Sequence, residues 1–136
     1  MKKEDILIIK KTWRLLKDID PLIFGDVFYS KLFLEYPFFK KIFKGDREDQ
    51  YKELIDLMTI IVLNINNLDK LREDLIAIAS KNTEYGVKPE YYKKIGETLI
   101  WTLEKGLGND WNNETERAWR TYYTLISGKM IKIEPV

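Results

Sequence analysis

Apolar residues recur at helical spacing along almost the whole of this 136-residue chain, and alternation of period two is nearly absent. That pattern predicts helices that each bury one face, and so an all-α domain. Ile6, Ile9, Trp13 and Leu16 make a first stripe. Asp20 followed by Pro21 reads as a helix start, because Asp caps free N–H groups and Pro suits the first helical position; the stripe behind it is Phe24, Val27, Phe28 and Leu32. Tyr36-Pro37 restarts the chain into a short segment ending near Phe43, and Lys44-Gly45-Asp46 reads as a turn. From about Glu48, Tyr51, Leu54, Ile55, Met58, Ile61, Val62 and Ile65 predict a long amphipathic helix closed by Asn66-Asn67. Asp69 is expected to open a helix carrying Leu71, Leu75, Ile78 and Ala79, with Gly86 at its end. Pro89 starts another, lined by Tyr92, Ile95, Leu99 and Leu103 and stopped near Gly108. Asn113 with Glu116 resembles a capping box for a last helix bearing Trp119, Tyr122, Tyr123, Ile126 and Met130. The length suits one domain over residues 1–136, with one core.

The composition removes several classes of function. Lys+Arg 23 against Asp+Glu 22 leaves a net charge of +1, so no long-range field points to nucleic acid or an acidic membrane. Basic pairs such as Lys10-Lys11, Lys40-Lys41 and Lys93-Lys94 read as solvated helix faces. Apolar runs such as Met58 to Leu63 fall far short of the roughly 20 residues that span a bilayer. The start MKKEDILIIKK lacks the long apolar core of a signal peptide, so a cytoplasmic location is expected. With no Cys and no His, disulfide frameworks, thiol chemistry, His-based hydrolases and Cys or His zinc sites lack their reactive groups. The seven glycines are scattered, which leaves no phosphate-binding loop. A carboxylate metal site remains open, although Asp46, Glu48 and Asp49 are more simply a helix start favouring negative charge.

Four strings go further: FYSKLFLEYPFFKKIF, NINNLDKL, YGVKPEYYKKIGETL and AWRTYYTLI. Together they resemble the single-domain bacterial globins and the globin halves of flavohaemoglobins, and the last two are also similar to neuroglobin-like chains. The resemblance runs in order over nearly the whole length. It implies a globin fold, a helical sandwich of about seven to eight helices, around a haem b. Carried over residue by residue, Phe43 matches the aromatic that packs on the haem, Tyr29 the distal tyrosine, and Gln50 the distal glutamine that replaces histidine in many bacterial members. Leu54, one helical turn after Gln50, shares its face. In the resembled family that face overhangs the iron, and Tyr29 and Gln50 donate hydrogen bonds to a bound diatomic ligand.

On the other side Asn82, within IAIASKNTEYGVKPEYY, falls where the family carries its iron-binding histidine. Tyr92 and Glu134 match the tyrosine and glutamate that form a hydrogen-bond network with that histidine, raising its basicity and fixing its orientation. An amide oxygen is a weak, hard donor for haem iron. The remaining candidate ligands are Tyr29 or Lys52 on the distal side and Asn82, Lys81 or Tyr85 on the proximal side, with at most two in use. A lysine ligates only after losing its proton, which burial favours. Tyr51 stands where globins often keep a small residue at a close helix crossing, and Gly25 is the residue expected to supply the room.

Two functions follow from the resemblance. One is a haem protein with unusual iron ligation that binds or senses O2, NO or CO. The other is a haem-free globin module whose cavity is empty, collapsed or filled by a small apolar molecule, for which large side chains such as Tyr51 would be the sign. Enzymatic NO dioxygenation or peroxidase-like chemistry ranks third, because proximal electron donation has lost its usual source. A monomer or a homodimer is expected; Trp101, Trp111 and the aromatic last helix offer a dimer face, and core packing is their plainer role.

Overall fold

Asp20 begins the first tight corner: its Oδ1 accepts from the Leu22 N–H at 2.9 Å, the capping expected of an Asp before a helix. The computed structural model describes residues 1–133, and these contain seven α-helices and no strand. They are α1 (Lys3–Leu16), α2 (Pro21–Glu35), α3 (Phe39–Ile42), α4 (Arg47–Leu63), α5 (Arg72–Tyr85), α6 (Tyr91–Leu107) and α7 (Asn113–Ile133), with single 3₁₀ turns at Leu68–Leu71 and Gly108–Asp110. Glu134 lies outside the described residues.

The expected order of helices holds, with shifts at their ends. Helix α4 stops at Leu63, because Asn64 folds its side chain back onto the Ile60 carbonyl at 3.0 Å. The segment expected to open at Asp69 first makes a 3₁₀ turn and becomes α-helical only at Arg72. Its end is where Gly86 was expected, at φ 98°, a left-handed conformation that favours glycine. The cap of α7 is Asn112, not Asn113: Asn112 Oδ1 accepts from the Thr115 N–H at 2.9 Å, while Glu116 turns away to pair with Arg120. Asp46 does cap α4, accepting from the Asp49 N–H at 3.1 Å, so the acidic group there is accounted for as a helix start.

Packing follows the stripes. Helix α1 lies on α7, α2 lies across α4 and on α6, and α5 lies on α7. Ile9, Leu32, Phe39, Leu71 and Leu103 are wholly buried at the centre. A buried polar link fixes α1 to α7: the Trp119 indole N–H donates to Thr12 Oγ1 at 2.9 Å, and Thr12 in turn donates to the Ile8 carbonyl at 2.7 Å. The crossing of α2 and α4 depends on Gly25, where a Cβ would lie 2.5 Å from Tyr51 Cβ. Gly25 therefore supplies the room that Tyr51 takes up. No helix among the described residues is long and apolar enough to cross a membrane.

Candidate functional site

Helix α4 sends Gln50, Leu54, Leu57, Met58 and Ile61 into one side of a cavity of about 740 Å³. Positions three and four apart share a helix face, so the spacing that makes α4 amphipathic also makes it a wall. Helix α2 adds Tyr29, the corner after α3 adds Phe43, α5 adds Lys81, Asn82 and Tyr85, and α6 and α7 complete the lining with residues such as Tyr92, Leu99 and Trp119. The volume lies within the roughly 300–1,000 Å³ of small-molecule and cofactor sites.

Tyr29 and Gln50 are the polar groups carried by the apolar side of this space. Tyr29 is 8% exposed and its ring is packed edge-on by Phe28 and Phe43, with centroids at 5.0 and 5.9 Å. Its hydroxyl has no hydrogen-bond partner among the described residues. Burial, and then the nearby Glu53 carboxylate, push the Tyr29 phenol well above its ordinary range, so at neutral pH it is an O–H donor and not a phenolate. Gln50 is equally buried, and its Oε1 accepts nothing. An oxygen left in that state costs about 1–3 kcal/mol.

The opposite wall is hydrogen-bonded. Asn82 Nδ2 donates to Tyr92 Oη at 3.3 Å, and the Tyr92 carbonyl accepts from the Tyr123 hydroxyl. Tyr123 itself nests on Gly96, where a Cβ would meet its ring at 2.3 Å, so α6 and α7 press together behind Asn82. The Tyr122 hydroxyl donates to the Ile61 carbonyl, one of the last carbonyls of α4 that no helical N–H reaches. The two walls are tied at the mouth by an ion pair, Lys81 Nζ to Glu53 Oε1 at 3.0 Å.

Of the residues singled out from the sequence, Tyr29, Phe43, Gln50, Leu54, Lys81, Asn82, Tyr85 and Tyr92 all line the cavity. Lys52 does not; it is exposed on the outer face of α4. Lys81 reaches the cavity, but its side chain is 47% exposed, and its hydrogen bond to Glu53 raises its pKa. The burial that would favour loss of its proton is absent, and Lys81 stays a cation. Tyr85 is exposed at the end of α5. Tyr51 is outside the lining: it points to α2, donates to Asp26 Oδ1 at 3.1 Å and does not fill the pocket. Glu53 was missed, although its place three residues after Gln50 puts the two on neighbouring positions of one helix face. Trp119 and Tyr122, read as core, are both core and lining.

The family model for globins matches residues 26–130. The chain belongs to the globin family. Among relatives of this globin, an uncharacterized globin-like protein of Aquifex aeolicus is 31% identical over 134 residues, covering 98% of this chain and 94% of the relative. A flavohemoprotein of Vibrio cholerae is 29% identical over 135 residues, 97% of this chain but 34% of the relative, so the chain spans about a third of that protein. The solved structure of a bacterial globin from Campylobacter jejuni superposes with a TM-score of 0.85 at 28% identity, covering 98% of this globin and 96% of that chain.

Proposed function

We propose that this globin holds a haem in the cavity without a histidine ligand and binds or senses a diatomic ligand beneath Tyr29 and Gln50. The observation that carries the reading is Tyr29: a phenol kept protonated by burial, with no acceptor among the described residues, lining the same cavity as Gln50, whose amide nitrogen is a second donor. Such groups stabilise a protein only when something accepts or donates to them.

The size and the largely apolar walls fit a tetrapyrrole, and Phe43 and Leu54 supply flat and branched apolar contact for it. When bound, the haem supplies the iron that takes the diatomic ligand. The chain's own residues do the rest. Tyr29 offers a hydroxyl proton and Gln50 an amide N–H, beside the apolar Phe28, Phe43 and Leu54. Asn82 is the weak point, because its amide is committed to Tyr92 and is a poor substitute for imidazole. Retention therefore rests on burial, worth about 25 cal/mol per Å² of apolar surface, more than on coordination.

Titration of the purified protein with haemin, followed by absorption, tests this. A saturable Soret shift is expected, and Asn82→His should slow haem loss by about 10-fold or more, with Tyr92 in place beside the new imidazole. No saturable shift in the wild-type protein sinks the reading.

A second reading is favoured by the same Asn82–Tyr92 bond, which satisfies the proximal wall without any metal. The cavity then serves as a haem-free site for a small apolar molecule. A melting temperature unmoved by added haemin supports this alternative.

A further inference from the structure

Gln50 and Tyr51 are consecutive on α4 and about 100° apart around it. Gln50 lines the cavity, while Tyr51 lies over Gly25 at the α2 crossing. There its ring stacks on that of Tyr29, with centroids 5.8 Å apart and planes 25° from parallel. Its hydroxyl donates to Asp26 Oδ1 at 3.1 Å, and the same carboxylate oxygen is held from α2 by Ser30 Oγ at 3.2 Å. The ring is thus fixed at both ends. At its base the absence of a Cβ on Gly25 lets Tyr51 Cβ and Cγ seat against α2, and at its tip Asp26 holds the hydroxyl.

Tyr29 has neighbours on its other sides. Phe28 and Phe33 come from its own helix and Phe43 from the corner after α3. Among the described residues Tyr51 is the ring that α4 contributes. No hydrogen bond within the described residues holds the Tyr29 hydroxyl, so the packing of its ring sets the direction in which it points.

We propose that Tyr51 is a positioning residue: anchored on Asp26 and seated over Gly25, it braces the Tyr29 ring so that the phenol stays aimed into the cavity. The proposal rests on the reading of Tyr29 as a hydrogen-bond donor to the ligand. It assigns the two consecutive residues different tasks, Gln50 as a cavity group and Tyr51 as the support of the other cavity group. It also explains why a bulky aromatic occupies a close helix crossing.

The test uses the full chain labelled with 3-fluorotyrosine, with the Tyr29 resonance assigned by its loss in Tyr29→Phe. In the wild type, without any ligand, Tyr29 should give one narrow ¹⁹F resonance. Tyr51→Leu, which removes the ring, should split or broaden it; Tyr51→Phe, which keeps the ring and loses the tether to Asp26, should broaden it less. If Tyr51→Leu fails to fold, Tyr51→Phe decides. A Tyr29 resonance as narrow and unshifted as in the wild type, in every variant that folds, overturns the proposal. In protein loaded with haemin and then reduced to the ferrous state with an added chemical reductant, Tyr51→Leu should raise the O2 dissociation rate about fivefold, the equivalent of one net hydrogen bond. Failure to load haemin defeats the haem reading and leaves the ¹⁹F result to judge the brace.

Discussion

Replacing Gly25 with alanine probes the α2–α4 crossing on which the distal side of the cavity depends. A Cβ there falls 2.5 Å from Tyr51 Cβ, whereas ordinary contact begins near 3.4 Å, so the helices must part by about 0.9 Å. Rotating Tyr51 about χ1 gives no relief, because its Cβ is fixed to the backbone of α4. Overpacking of this kind costs about 1–3 kcal/mol. Alanine in place of glycine within a helix returns up to about 1 kcal/mol. The expected net effect is a destabilisation of about 1–2 kcal/mol, a fall in melting temperature of roughly 3–8 °C for a chain of this size. Urea denaturation followed by far-UV circular dichroism measures it, with the slope unchanged. The background separates the cause. Tyr51→Ala removes Cγ and Cδ1, which the new Cβ would meet at 2.5 and 2.7 Å, but keeps Cβ, so it should relieve only part of the penalty, whereas Tyr51→Gly should abolish it and show a coupling of about 1–3 kcal/mol. A Gly25→Ala protein as stable as the wild type, or one rescued equally by Tyr51→Ala, refutes the reasoning.

Two further outcomes follow from the site and its surroundings. Gln50→Leu removes a buried oxygen without a partner, so the protein without haem should gain about 1 kcal/mol of unfolding free energy, while the haem-loaded protein, once reduced to the ferrous state, should release O2 faster. Glu97 receives two hydrogen bonds from Arg120, at 2.7 and 3.1 Å, which hold its pKa below the ordinary 4.5 against the opposing effect of burial. Its folded value lies below its unfolded one, so the pair's contribution is present above 4.5 and is lost as the pH falls through the depressed value. Both side chains are about half exposed, 42% and 50%, so the acid-side loss in denaturation midpoint should be small, and Glu97→Gln should flatten it.

The helices were legible because each carries one apolar stripe, and the same stripe on α4 that marks Leu54, Met58 and Ile61 as buried also builds the cavity wall. Their starts were less so. Asn112 and Asn113 satisfy the same local rule, and Asn112 becomes the cap because Thr115, three residues on, is 4% exposed and needs a partner for its N–H. The cavity residues could be named from motifs that resemble those of a known family. The Glu53–Lys81 tie could not, since it joins residues 28 apart on two helices and obeys no local spacing. The direction of Tyr51 was open for the same reason: sequence shows a large side chain near a glycine, and only the crossing decides whether that side chain fills the cavity or seats on α2.

The missing histidine weighs differently once the cavity is seen. A space of about 740 Å³ forgoes dispersion contacts along its walls, and the buried Gln50 Oε1 forgoes a hydrogen bond, so an occupant that covers those walls adds stability. Each 100 Å² of apolar surface covered contributes about 2.5 kcal/mol, roughly two net neutral hydrogen bonds. An occupant present at 100 times its dissociation constant adds about 2.7 kcal/mol of stability by mass action. In the haem reading proposed above, coordination of iron is one contribution beside these; Asn82 would supply it poorly, while its bond to Tyr92 holds the wall behind it in place. On the proposed function, shape governs whether a planar apolar ligand is retained, Tyr29 and Gln50 govern what that ligand binds in turn, and position 82 governs how long the complex lasts.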